Sequence, residues 1–159
     1  MNRIHTQGSS GAKLDYSLPN ITRVLLVHAG LLFAFKVGIS WVAFATFMVT
    51  YYVKLFAVSG VFHRYYTHRS YEMGRGFCFL WSFIGCTAGQ RGPLSWTTVH
   101  SKHHQHSDKK GDPHSPVQRG LFYAHLGWLL AKEPLPTSDA LVRKYKDRPE
   151  ILWLDRHYN

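Results

Sequence analysis

Three histidines, His100, His103 and His104, form an H-x-x-H-H run, and a second pair, His63 and His68, lies well upstream. On an α-helix the positions i, i+3 and i+4 fall within an arc of about 100°. Three imidazoles on one face make a metal half-site, since the neutral ring nitrogen is a ligand for zinc, copper, iron and nickel. His63 and His68 are five residues apart. That is about 500° on an ideal α-helix, or about 140° net. A shared metal would then require a helix end or help from a third element. Neither motif contains a carboxylate, and these five histidines are read as metal ligands.

The chain holds 11 histidines, and the others read differently. His28 and His125 sit among apolar residues and are expected to pack. His5 and His157 are expected to be solvated. His106 faces away from the H-x-x-H-H arc, and His114 lies beyond a proline, off the helix, so neither joins the ligand set. A structural zinc site closes at four ligands, usually including cysteine. Here histidine is in surplus, while Cys78 and Cys86 fall in an apolar run and read as small buried hydrophobes rather than ligands or a disulfide framework. Bis-histidine haem wants isolated pairs on facing helices. A two-metal site fits the surplus of ligands.

The elements that must position these residues divide the chain in two. The 159 residues suit one domain. Met1–Tyr16 is polar, without the apolar core of a signal peptide, and residues 1–18 read as a solvated tail. From Val24 to Phe62 the only formal charges are Lys36 and Lys54. Two apolar runs, about 21–37 and 39–62, each approach the roughly 20 residues that cross a hydrocarbon core. They predict a transmembrane helical hairpin turning near Lys36–Ser40. The alternatives are one tilted span with the rest interfacial, or a hairpin buried in a soluble core. Residues 63–159 form the histidine-bearing region. Phe77–Ala88 is too short to span and predicts an interfacial or core helix. Ser95–His106 predicts the helix that carries H-x-x-H-H, stopped by Gly111-Asp112-Pro113. Gly120–Ala131 predicts a further interfacial stretch, closed by Pro134 and Pro136. The fold class is all-α membrane protein, a transmembrane helical hairpin with cytosolic or interfacial helices carrying the histidine boxes.

The net charge of +10 does not mark a nucleic-acid binder, because no basic helix face is free of large apolar residues and no such motif is present. A basic face against anionic lipid headgroups fits better. Arg64, Arg69 and Arg75 follow the second run, and Lys13 and Arg23 lie near the start of the first. The positive-inside rule therefore places the histidines on the cytosolic side.

The motifs together resemble the membrane fatty-acid desaturases of the Δ9 (acyl-CoA/acyl-lipid) type: His63-Arg-Tyr-Tyr-Thr-His68, then Trp96 leading to His100-Ser-Lys-His103-His104, then Gly111-Asp112-Pro113-His114-Ser115-Pro116 and His125-Leu-Gly-Trp128. The resemblance covers about residues 20–158. It implies a di-iron centre with His63, His68, His100, His103 and His104 as ligands, O2 as co-substrate, and an electron donor such as ferredoxin or cytochrome b5. It also implies a fatty acyl-CoA or acyl-lipid substrate that gains a cis double bond. Gln90 and Trp96 align near the acyl tunnel of that family.

Two departures stand beside the resemblance. The family carries a third box, again H-x-x-H-H, after a second hairpin, and neither is present here. Five ligands do not fill two irons, so the 159-residue chain is expected to be an N-terminal portion without desaturase activity of its own. Animal acyl-CoA members carry an Arg-Asp pair just before the second box, where this chain has Thr98-Val99, which leaves an acyl-lipid substrate open. The competing functions are a membrane di-iron hydroxylase, which usually has a shorter first box, and a non-catalytic membrane metal- or haem-binding module.

Overall fold

The computed structural model describes residues 15–132 and 137–158. Of the expectations above, those on His5, Pro134, Pro136 and all but the end of the polar tail fall outside the described residues. The described residues are helical, with no strand among them. An isolated antiparallel bridge joins Tyr16 to Ala131. They cluster as two compact units, residues 15–32 with 102–132, and residues 33–101 with 137–158.

Two helices are long and apolar enough to cross a membrane. The first, α1 (Leu18–Val37), has 20 residues. The second is a continuous helix over Trp41–Thr67, 27 residues in all. Neither α1 nor the α-helical part of the second, α2 (Trp41–Phe56), buries any residue. Leu26, Phe33 and Phe35 on α1 are exposed, as are Trp41, Val42 and Phe47 on α2. Such helices, apolar on every side and largely uncovered among the described residues, suit lipid, where their internal hydrogen bonds satisfy the backbone. Gly38 ends α1 at φ +77°, a conformation open to glycine without a Cβ clash. Ser40 then caps α2, its hydroxyl accepting from the Ala43 N–H at 3.1 Å. The connection falls where the sequence placed the turn.

The second apolar helix does not stop at Phe62. It passes without a break into a π-helical segment, Ala57–Thr67, so the first histidine pair stands on the helix itself rather than after it. Arg69, at φ +52°, ends the run.

In the larger unit, α3 (Arg75–Cys86) packs against the π-helical segment, against α2 and against α8 (Pro149–His157). One face of α3 is buried, through Cys78, Ser82, Gly85 and Cys86, while Phe77 and Leu80 stay exposed. Phe62, Tyr66, Leu94, Ile151 and Leu154 complete this core. Gly85 is needed for the close packing: a Cβ there would lie 2.6 Å from Phe62 Cε1. The Tyr66 hydroxyl is buried and pairs with Ser82 Oγ at 2.8 Å, which removes the cost of an unpaired polar group. Both cysteines are buried and free, as their apolar surroundings predicted.

Helix α4 (Pro93–His106) begins two residues before the expected start, with proline in its first turn. Its leading N–H groups are capped from far along the chain. Asp155 Oδ1 accepts from the Leu94 and Ser95 N–H groups, each at 2.8 Å, and from Ser95 Oγ at 3.2 Å. Asp155 Oδ2 accepts from Thr137 Oγ1 at 2.7 Å. A carboxylate here satisfies orphan donors and complements the positive helix end. Gly92 admits that approach, since a Cβ there would lie 2.5 Å from Asp155 Cα.

The smaller unit holds α5 (Pro116–Arg119), a π-helical turn Tyr123–Gly127 and α6 (Trp128–Leu130). The chain before α1 is tied to it through Ser17 N–H to Leu130 O at 2.8 Å and Lys132 N–H to Asp15 O at 2.7 Å. His125, expected to pack, is exposed, because Tyr123 and Gly127 supply the buried face of its turn. Between Ser138 and α8 lies α7 (Asp139–Lys144).

Candidate metal centre

In the larger unit, imidazoles from two helices converge. The π-helical hydrogen bond from His68 N–H to His63 O, 3.1 Å, closes over five residues rather than four. Residues five apart then share a face, as residues four apart do in an α-helix, and most of the roughly 140° offset is removed. The two Nε2 atoms are 3.0 Å apart. His100 of α4 comes in from the other side, its ring centroid 4.7 Å from that of His63 and 6.4 Å from that of His68. Ligand nitrogens of His63, His68 and His100 all lie within 4.8 Å of one another.

Trp96 stacks on His100, with centroids 4.5 Å apart and planes at 25°. Its indole N–H donates to Gln90 Oε1 at 3.1 Å. The two residues that the resemblance placed near an acyl tunnel thus pair with each other and fix the plane of a histidine. Phe62 lies against Trp96 at 5.9 Å, so the cluster rests on an apolar floor. Thr98 and Val99 are buried. Thr98 Oγ1 donates to Leu94 O at 2.8 Å and accepts from Ser138 N–H at 3.0 Å.

In the second box, His104 follows His100 by one turn of α4. His103 lies in the smaller unit. Its Nδ1 lies 3.0 and 3.1 Å from the two oxygens of Asp112. Its ring stacks on His114, with centroids 4.6 Å apart and planes at 25°. His114, excluded from the ligand set in the sequence, and Asp112, read there only as part of a helix stop, form with His103 a second group of metal-ligating types within 4.8 Å. Burial pushes the Asp112 carboxyl up, but hydrogen bonds from His103 and from the Asp108 and His114 N–H groups outweigh it and hold it below the ordinary carboxylate value. Burial, then the charge of His103, lowers the pKa of His114.

The family model for fatty acid desaturases matches residues 39–156. The chain belongs to the fatty acid desaturase family. Among its relatives, the sn-1 stearoyl-lipid 9-desaturase of Anabaena variabilis is 34% identical over 128 residues, which is 79% of this chain and 47% of that protein. A hex-5-enoyl-[acyl-carrier protein] acetylenase of Moorena producens is 33% identical over 110 residues, 58% of this chain and 34% of its own. An acyl-CoA C20 Delta5-desaturase of Anemone leveillei is 34% identical over 89 residues, covering 56% and 27%. The chain spans less than half the length of these relatives. It is a membrane protein of an oxidoreductase family, and its clustered histidines are of the type that binds metal.

The donor set fits a transition metal, iron among zinc, copper and nickel, since neutral imidazole suits them all, and ring nitrogens from two helices meet in one region.

Proposed function

We propose that this chain provides the first two ligand boxes of an iron-dependent, O2-using fatty-acyl desaturase that introduces a cis double bond, at Δ9. His63, His68 and His100 hold one iron, with His104, a turn beyond His100, as a further ligand. His103 serves the second iron. When bound, the two irons would supply O2 activation with two external electrons and two protons, so that these and the two hydrogens leaving the acyl chain end in two waters. The chain's own residues hold the rings in register and keep water away. Trp96 and Gln90 fix the His100 plane, and the apolar floor at Phe62 and Trp96 gives an unactivated acyl chain a dry seat.

The observation that carries the reading is the convergence of His63, His68 and His100 from two helices. The substrate is a fatty acyl-CoA or an acyl-lipid, the latter left open by Thr98 and Val99 standing where animal acyl-CoA members carry an Arg-Asp pair. Domain boundaries follow the helices, with a polar tail through residue 18, spans ending near Val37 and Thr67, and the histidine region beyond. The arginines Arg64, Arg69 and Arg75 support a cytosolic side for that region, where an acidic carrier such as ferredoxin or cytochrome b5 would dock.

Iron content and lipid unsaturation test this together. The full-length gene product, expressed in a host lacking stearoyl desaturation, should bind iron and raise 9-monounsaturated acyl chains. Alanine at His63, His68 or His100 should abolish the product and lower bound iron. Wild-type iron content in all three variants would overturn the assignment.

A further inference from the structure

We propose that Asp112 is a positioning residue that sets the tautomer of His103, holding the proton on Nδ1 so that Nε2 is the metal-binding nitrogen. This rests on the reading of His103 as an iron ligand. The carboxylate straddles Nδ1, with its oxygens at 3.0 and 3.1 Å. A carboxylate has only acceptors, so the nitrogen that faces it is the one that carries hydrogen. In the neutral ring the lone pair is then on Nε2. Carboxylate-to-imidazole contacts of this kind orient metal-binding histidines and raise their basicity.

The loop is built to hold that carboxylate still. The Asp112 side chain is fully buried, while that of His103 is 29% exposed. Asp112 Oδ2 also accepts from Asp108 N–H at 2.9 Å, and Oδ1 from His114 N–H at 3.1 Å. Asp108 is fastened in turn by Ser115 Oγ, which donates to its Oδ1 at 2.8 Å, and by Gln118 Nε2, which donates to its carbonyl at 2.8 Å. Gly111, at φ +106°, makes the turn, and a Cβ there would lie 2.8 Å from the His106 ring. His114 covers one face of the His103 ring and itself lies 5.1 Å from Trp128. His103 is thus gripped on an edge and on a face, which leaves its ring little freedom. The competing arrangement, in which His103, Asp112 and His114 all ligate a metal, keeps the backbone bonds to Asp112 but replaces its contact with His103 Nδ1 by a shared ion.

The test begins with the metal-free wild-type protein in detergent, labelled with 15N-histidine. At about pH 8.5, above the ordinary histidine pKa of about 6.5, long-range 1H–15N spectra report the tautomer. The His103 signals are assigned by their loss in His103→Ala. The Nδ1–H form is expected, and an Nε2–H form overturns the proposal without need of a variant. Asp112→Asn should then shift His103 toward the Nε2–H form and weaken iron binding by about 10- to 100-fold. His103→Ala/Asp112→Asn should bind iron no more weakly than His103→Ala alone, since Asp112 acts through that ring. An Asp112→Asn protein with wild-type tautomer or wild-type iron affinity overturns the proposal. So does a His114→Ala protein that loses iron as fully as Asp112→Asn, which is the signature of three direct ligands. A His103→Ala protein with full iron affinity instead refutes the ligand reading on which the proposal rests.

Discussion

Removing the Asp155 carboxylate should loosen the start of α4, and through it the placement of His100. The structure gives the size of the effect. Asp155 Oδ1 receives two backbone N–H groups at 2.8 Å, from residues with no earlier turn to pair with. Hydrogen bonds to an ionised acceptor contribute about 1.5–3 kcal/mol each, and a negative charge at a helix N-terminus adds up to about 2 kcal/mol in a partly buried setting. These overlap, so Asp155→Ala, which leaves two buried donors unpaired, should cost about 4 kcal/mol. Asp155→Asn keeps an acceptor but loses the charge and should cost about 1.5 kcal/mol. For a chain of this size each kcal/mol moves the melting temperature by about 2–4 °C. The two variants should therefore melt roughly 8–16 °C and 3–6 °C below wild type, followed by tryptophan fluorescence in detergent. Iron affinity should fall in the same order. An Asp155→Ala protein within about 0.5 kcal/mol of wild type, the range of an unremarkable surface change, would refute the remote cap. Equal losses in both variants would refute the division between acceptor and charge.

Gly85→Ala should destabilise the fold by about 1–3 kcal/mol through overpacking against Phe62, and because Phe62 precedes His63, iron binding should weaken with it. A neutral melt would show that Phe62 can yield. Cys86, whose thiol burial and then the nearby Asp155 charge push up to about 12, should resist iodoacetamide in the folded protein and react in denaturing detergent, since the thiolate is the nucleophile. Rapid alkylation of native protein would contradict its burial. Glu150 receives two bonds from the Arg75 guanidinium, at 2.9 and 2.7 Å, and these hold its carboxyl below the ordinary glutamate value. A depressed folded pKa contributes stability that is present above the unfolded value and lost as pH falls through the folded one. The melting difference between wild type and Glu150→Gln should accordingly shrink as pH drops below about 4.3, and a difference indifferent to pH would exclude the ion pair as its source.

Much of this was legible in the residues. Two apolar runs with a break at Gly38, the helix under H-x-x-H-H and its stop near Gly111 all follow from periodicity and turn chemistry, and the motifs carried the family. Three features were not. The geometry of His63 and His68 depends on the period of the helix, and the α-helical rule separates them by about 140°. The signal was the five-residue spacing itself, which suits a π-helical turn. His103 shares an arc with His100 and His104 by spacing alone, and its pairing with a carboxylate nine residues on was not foreseen. Charge next to a turn glycine, at Asp112, was the available clue. Asp155 caps α4 from about 60 residues downstream, and no local pattern announces so distant a partner.

The first histidine pair has no joint beneath it. Because Trp41–Thr67 is one unbroken helix, roughly 40 Å long at α-helical rise, any tilt that a thicker or thinner bilayer imposes on the rod swings His63 and His68 by the same angle. Because His100 belongs to the same compact unit, the packing of α3 against the C-terminal end of this helix is what keeps the three rings in register as the rod tilts.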